Sequence, residues 1–209
     1  MMFEGDVQDF TLHVPHHTLA RFLVHAELLS RTPPGNVVDI GVGCGGSTFA
    51  FAKLLRILRR PGTVFGFDTF SGFPHVGPQD GNDSLVKVGG LNFGPAPLIA
   101  ASKNAGLPIQ FIIGDITQTV PEWVQSRASD FHIALLNLDA DLYEPTAVAL
   151  EHLMPLMAPG GVVILDEYDV NAFPGERRAV DAYFQKRGGV RPILHQHSWV
   201  NNPSRYFYT

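Results

Sequence analysis

The sequence predicts an α/β domain built on a doubly wound, mostly parallel sheet that ends in an antiparallel strand pair. Three observations lead there. Short apolar runs ended by Gly or Asp alternate with helix-length segments along most of the chain, as strand–helix–strand units do. Each run is nearly continuous in apolar residues instead of alternating, the pattern of parallel strands covered on both faces. Near the C-terminus the alternation stops: Val190–His197 and Arg205–Thr209 leave no room for a helix between them, so they are expected to pair with each other.

The elements follow in order. Leu19–Leu29 is a helix candidate closed by Thr32-Pro33-Pro34-Gly35. The strand Asn36–Ile40 leads into a helix over Gly46–Arg59, with Phe49, Leu54, Leu55 and Leu58 at helical spacing. That helix stops at Arg-Arg-Pro-Gly, a basic last turn followed by a breaker. Strands are expected at Thr63–Phe67, Ile109–Ile113, His132–Leu138 and Gly161–Leu165. Helices are expected at Pro97–Ala105, Pro121–Arg127, Pro145–Met157 and Gly175–Arg187. Pro121 and Pro145 suit the first helical position, where a missing N–H costs nothing. Between Phe73 and Ala96 lies the longest loop, with five Gly and three Pro and no persistent period. Loops of that length in a compact domain are usually functional, often lids.

Composition narrows the function. The 209 residues make one domain's worth of chain, and 45% apolar content excludes disorder as its main character. A net charge of −5, from 15 Lys and Arg against 20 Asp and Glu, argues against nucleic acid as the partner. No apolar run is long enough to span a membrane, and the acidic start MMFEGDVQDF lacks the apolar stretch of a signal peptide. The single cysteine, Cys44, excludes a disulfide framework and fits a reducing cytoplasm.

The chemistry concentrates at predicted strand ends. Asp39-Ile-Gly41-Val-Gly43-Cys-Gly45-Gly46-Ser47 sits where the first strand turns into a helix. Glycines let a backbone approach a ligand closely, and a helix N-terminus offers unpaired amides. The Gly41-x-Gly43-x-x-Gly46 spacing alone also matches a dinucleotide fingerprint. Asp39 before the glycines can receive a ligand ammonium, Asp68 can accept two ribose hydroxyls, and Gly114-Asp115 can border an adenine. Singly, each acid is as well explained by a helix cap or turn. Together, at successive strand ends, they favour S-adenosylmethionine in the crevice of an open α/β sheet.

A second acidic group follows. Asp139 and Asp141 lie after the fourth strand, Asp166 and Glu167 after the fifth. Neighbouring parallel strands are about 4.8 Å apart, so four carboxylates there repel unless a cation sits among them. Oxygen ligands select Mg²⁺, Ca²⁺ or Mn²⁺. The plainer alternative is that the acids only cap the following helices. Other polar residues have plain readings too. His75 and the Gln79–Asp83 loop could touch substrate, though polar loops are usually just solvated; His195 and His197 read as one face of a terminal strand, Cys44 as inert, and Trp123 and Trp199 as packing.

The runs DIGVGCGGST, FDTFSGFP, IGDITQTVPEW, LLNLDADLYEPT and PGGVVILDEYD resemble the macrocin-type sugar O-methyltransferases of antibiotic biosynthesis. These are Rossmann-like class I enzymes that use S-adenosylmethionine and Mg²⁺. The resemblance covers about residues 36–187 and weakens at both ends. With the helix candidate of the first 35 residues read as a short N-terminal helical cap over 1–35, the methyltransferase domain is expected over 36–209. The resemblance implies metal ligation by Asp139, Asp166 and Glu167, with Glu167 standing where the family usually has an aspartate. It implies Asp141 as general base, and cofactor contacts at Asp39, Gly41, Gly43, Gly46, Ser47, Asp68, Phe70, Gly114 and Asp115. The expected partner is a small-molecule acceptor with vicinal hydroxyls, a sugar of a glycosylated natural product, with a homo-oligomer left open. Two other readings stay in play: a nicotinamide-dependent oxidoreductase, and a non-catalytic cofactor- or partner-binding domain.

Overall fold

Alternate residues of each buried strand face opposite cores, which is why the strands read as unbroken apolar runs. In β1 (Asn36–Ile40), Val37 packs into one core, and Val38 and Ile40 into the other. The same division holds in β2 (Val64–Asp68), β4 (Ile133–Leu138) and β5 (Met157–Leu165). One core lies under α1 (Leu19–Arg31), α2 (Gly46–Ile57) and α3 (Ala96–Asn104), filled by Leu28, Phe49, Phe51 and Leu55. The other lies under α4 (Ile116–Gln125), α5 (Tyr143–Leu153) and α6 (Pro174–Lys186), filled by Trp123, Leu150, Leu153 and Val180. This computed structural model describes residues 19–209; the part of the expected N-terminal cap before residue 19 lies outside them.

The sheet runs β3-β2-β1-β4-β5-β6, with β3 at Ile109–Ile113 and β6 at Arg205–Tyr208. All neighbours are parallel except β6, which pairs antiparallel with β5. The α/β architecture, the mostly parallel sheet and the antiparallel end are therefore as expected, but the partner of the last strand is not. Val190–His197 forms no strand and meets Tyr206 in one bridge at His195. Pro192 inside that run has no N–H to donate to a ladder. His195 and His197 instead stack their rings on Tyr206, each at 5.3 Å between centroids.

Two helix starts also differ. α4 begins at Ile116, because Asp115 accepts a hydrogen bond from the Thr117 amide at 2.9 Å and caps it. Pro121 then lies inside the helix, where it costs one backbone bond. α5 begins at Tyr143, so Pro145 falls within the first turn, where no N–H has an intrahelical partner. α1 is fixed at its far end by Arg60, whose guanidinium donates to the carbonyls of Leu29 and Thr32. Among the described residues, no helix is long and apolar enough to cross a membrane.

Candidate active site

The strand order reverses at β1, which lies between β2 and β4. Open α/β sheets bind ligands at the strand carboxyl ends beside such a reversal. A cavity of about 310 Å³ opens there, walled by the glycine loop, the ends of β2, β4 and β5, and parts of the long loop.

The glycine loop is shaped by close approach. Gly41 has φ +93°, and a Cβ there would overlap the Asp139 carbonyl. This brings the end of β1 against the β4–α5 turn. The Gly43 amide donates to Asp68 Oδ2 at 2.8 Å, and the Phe70 amide donates to Asp68 Oδ1 at 2.6 Å. Asp68 thus ties the loop to β2 while still facing the cavity. Burial pushes its pKa up, against the backbone bonds from Gly43 and Phe70. α2 has no side-chain cap, so Gly46 and Ser47 present a bare helix N-terminus to the cavity. The long loop folds back over this wall: a Cβ on Gly43 would lie 3.7 Å from the Phe93 ring.

Six of the expected cofactor residues, Gly41, Gly43, Gly46, Ser47, Asp68 and Asp115, line the cavity. Asp39, Phe70 and Gly114 are not on its wall. Asp39 is fully buried behind the loop, accepting from Asn137 Nδ2 at 2.8 Å and from the Thr48 hydroxyl. Each oxygen accepts one of these bonds, so Asp39 braces β1 against β4 and α2 from behind the loop. Burial raises its pKa to about 6 against those two bonds. Phe70 turns edge-on to Phe111 at 6.0 Å between ring centroids. Asp115 combines capping of α4 with a place on the cavity wall, 3.9 Å from His75 Nδ1. His75 Nε2 lies 2.5 Å from Glu144 Oε2 on α5, so this loop residue spans the cleft.

The second acidic group is positioned by strand register. Leu138 and Leu165 are partners across β4 and β5. One residue on, the Asp139 amide donates to the Ile40 carbonyl and the Asp166 amide to the Leu138 carbonyl, at 2.8 and 3.0 Å. The ladder therefore sets Asp139 and Asp166 side by side just past their strands. Ligand oxygens of Asp139, Asp166 and Glu167 lie within 4.8 Å of one another, and Asp141 falls outside that group. Asp141 takes a left-handed backbone, φ +62°, uncommon for a residue with a side chain. It turns the chain between the strand and α5. Burial, reinforced by Glu167 and Asp166, pushes the Asp141 carboxyl well up. Burial and Asp166 do the same for Asp139, and raise Glu167 to about 7.

Four further residues hold this site, and the sequence reading did not find them. Arg21 Nη2 on α1 donates to Asp139 Oδ2 at 3.0 Å and to Asp166 Oδ1 more closely still. Burial pulls the pKa of its guanidinium down, but Asp166 and Asp139 outweigh that and raise it. Its signal was a charge one turn before Val24 and His25, on the buried face of α1. Asn202 Nδ2 donates to Asp166 Oδ2 at 3.1 Å and to Glu167 Oε1 at 3.0 Å. Glu176, fully buried on α6, accepts from the Glu167 amide at 3.2 Å. Asp80 on the long loop accepts from the Tyr143 amide at 2.5 Å and the Gly77 amide at 2.7 Å. It thereby caps α5, whose own N-cap residue, Leu142, cannot. Nothing local in the sequence marks Asn202, Glu176 or Asp80, since each acts across a gap that only the fold closes.

The rhamnosyl-tetracenomycin C 4'-O-methyltransferase of Streptomyces olivaceus is 35% identical over 172 residues, 77% of this chain and 62% of that protein. The mycinamicin III 3''-O-methyltransferase of Micromonospora griseorubida is 29% identical over 163 residues, 74% of this chain and 62% of that one. The chain thus spans about 62% of the length of these curated relatives. Among solved structures, a calicheamicin methyltransferase superposes with a TM-score of 0.80 at 26% identity, covering 97% of this chain and 85% of that one. The O-methyltransferase NovP gives 0.69 at 26% identity, covering 92% and 81%. The profile of the macrocin O-methyltransferase (TylF) family matches residues 23–201, and the chain belongs to that family.

Proposed function

We propose that this protein is an S-adenosylmethionine- and Mg²⁺-dependent O-methyltransferase acting on a sugar hydroxyl of a glycosylated natural product. One observation carries the reading. A single cavity joins the Asp68 and glycine-loop wall to the carboxylates of Asp139, Asp166 and Glu167. A cofactor cleft and a place for a hard cation are thus side by side. The site residues suit both groups. Three oxygen donors within 4.8 Å fit Mg²⁺ chemistry, and the Arg21 guanidinium already stands there as a cation.

In this reading Asp68 accepts the ribose hydroxyls, and the N-terminus of α2 faces the methionine end of the cofactor. Asp139, Asp166 and Glu167 would hold a divalent ion, which when bound would lower the pKa of an adjacent acceptor hydroxyl and offset its developing charge. Asp141, whose pKa burial has raised, accepts the hydroxyl proton at a carboxylate oxygen. The acceptor oxygen takes the sulfonium methyl, and S-adenosylhomocysteine remains on the Asp68 wall. His75 and Phe93 of the long loop form part of the crevice wall. Cys44 is free, as a reducing cytoplasm would leave it.

Rhamnose-bearing acceptors are the first to try. Relatives act on rhamnosyl-tetracenomycin C and mycinamicin III, and the calicheamicin enzyme is a TDP-rhamnose 3'-O-methyltransferase. The test is S-adenosylhomocysteine release with such a panel. Activity should vanish in EDTA and return with Mg²⁺; full activity in chelator would show that Asp139, Asp166 and Glu167 hold no essential cation.

A further inference from the structure

Arg21 raises a question that the proposed chemistry leaves open. Its Nη2 atom bridges Asp139 Oδ2 and Asp166 Oδ1, two of the three carboxylates offered to a divalent ion. A hard cation binds carboxylate oxygens at about 2.0–2.6 Å. Nη2 already lies 3.0 Å or less from both oxygens. Guanidinium and dication would then be near neighbours of like charge sharing two carboxylates, so each disfavours the other.

The helix that carries Arg21 is held unevenly. Its C-terminal half is buried through Val24, Leu28 and Leu29, and Arg60 ties down the Leu29 and Thr32 carbonyls. At its start, Leu19 is 71% exposed and Leu23 50% exposed. Phe22 packs against the core edge, so the first turn is covered less deeply than the second half but is not loose.

We propose that Arg21 is a tethered competitor for the cation site. Its guanidinium pairs with Asp139 and Asp166 when no divalent ion is bound, and loading the ion displaces it together with the first turn of α1. This rests on the cation reading above. By linkage the effect is reciprocal: whatever holds the first turn of α1 down weakens the cation, and the cation loosens that turn. Arg21 therefore sets how much divalent ion the protein needs, and it couples ion loading to the wall of the acceptor cavity that α1 supplies.

The experiment uses Mn²⁺ as the probe, with the whole chain. Calorimetry gives its affinity for wild type, Arg21→Met and Arg21→Lys, and amide exchange follows residues 23–26, whose N–H groups donate to the carbonyls of the first turn. Arg21→Met should bind Mn²⁺ at least about tenfold more tightly, the worth of one charge-assisted hydrogen bond no longer displaced. Arg21→Lys should fall between the two. In wild type, Mn²⁺ should speed this exchange, and Asp139→Asn should abolish that response. If Arg21→Met does not fold, wild-type exchange and Arg21→Lys decide. Equal affinity in all three proteins with unchanged exchange, or weaker binding in Arg21→Met, overturns the competition while leaving the cation site standing. No Mn²⁺ binding by any of them overturns both.

Discussion

Replacing Asp68 by Asn separates bracing from binding at the cofactor wall. The carboxylate accepts the Gly43 amide at 2.8 Å and the Phe70 amide at 2.6 Å. Asn offers one acceptor oxygen, so its NH₂ must face one of these backbone donors. An orphaned buried donor costs about 1–3 kcal/mol. That cost is borne by free and liganded protein alike, so it lowers the melting temperature, by about 2–4 °C per kcal/mol for a chain of this size. Cofactor affinity falls for a different reason. Two ribose hydroxyls lose a charged acceptor, and charge-assisted bonds exceed neutral ones by about 1 kcal/mol each. The sum, about 2 kcal/mol, weakens S-adenosylhomocysteine roughly 10- to 100-fold. Differential scanning calorimetry and isothermal titration read the two effects separately. A lower melting temperature with unchanged affinity would refute the ribose assignment and leave Asp68 as a brace for the glycine loop.

Asp141→Asn should cut turnover by roughly 10²–10⁴ with little change in Mn²⁺ or cofactor binding, whereas Asp139→Asn should lose the ion; the reverse pattern in titration and rate assays means the roles are exchanged. Asp80→Ala removes the cap that Leu142 cannot provide for α5, and should lower stability by about 1–2 kcal/mol in thermal denaturation; an unchanged melting temperature would show that Tyr143 needs no cap. The Glu167 carboxyl is raised from 4.5 to about 7, by burial first and Asp166 second. The folded state thus favours its protonated form, and this stabilising contribution is present below about pH 4.5 and lost as pH rises through 7. Ion binding needs the carboxylate, so Mn²⁺ affinity should climb as pH rises to about 7 and then level; a flat pH profile would contradict Glu167 as a ligand.

What the sequence made legible was whatever depends on local pattern and strand order. Apolar runs such as Ile133–Leu138 marked buried parallel strands, and the acids one step past them marked the crevice, because a strand's end is visible in its own residues. Asp139 and Asp166 could be placed side by side before any coordinates, since adjacent strands leave little choice. The misreadings arose where two signals competed or where contact is long-range. Pro121 suggested a helix start, but Asp115, six residues earlier, offers the side-chain cap that starts the helix. Val190–His197 reads as a strand until Pro192 is weighed. Asp39 has the right place for a ligand contact, yet Thr48 and Asn137 claim it from α2 and β4. Arg21, Asn202, Glu176 and Asp80 come from four separate segments, and only tertiary packing aims them at one site.

A crystal grown with S-adenosylhomocysteine and Mn²⁺, with data collected at the manganese edge, tests whether cofactor and cation share this cavity. We expect one anomalous peak bonded to Asp139, Asp166 and Glu167, with the ribose on Asp68 and the thioether sulfur facing the peak across the cavity. S-adenosylhomocysteine bound on Asp68 with no peak, and Arg21 still paired with Asp139 and Asp166, would contradict a shared cavity.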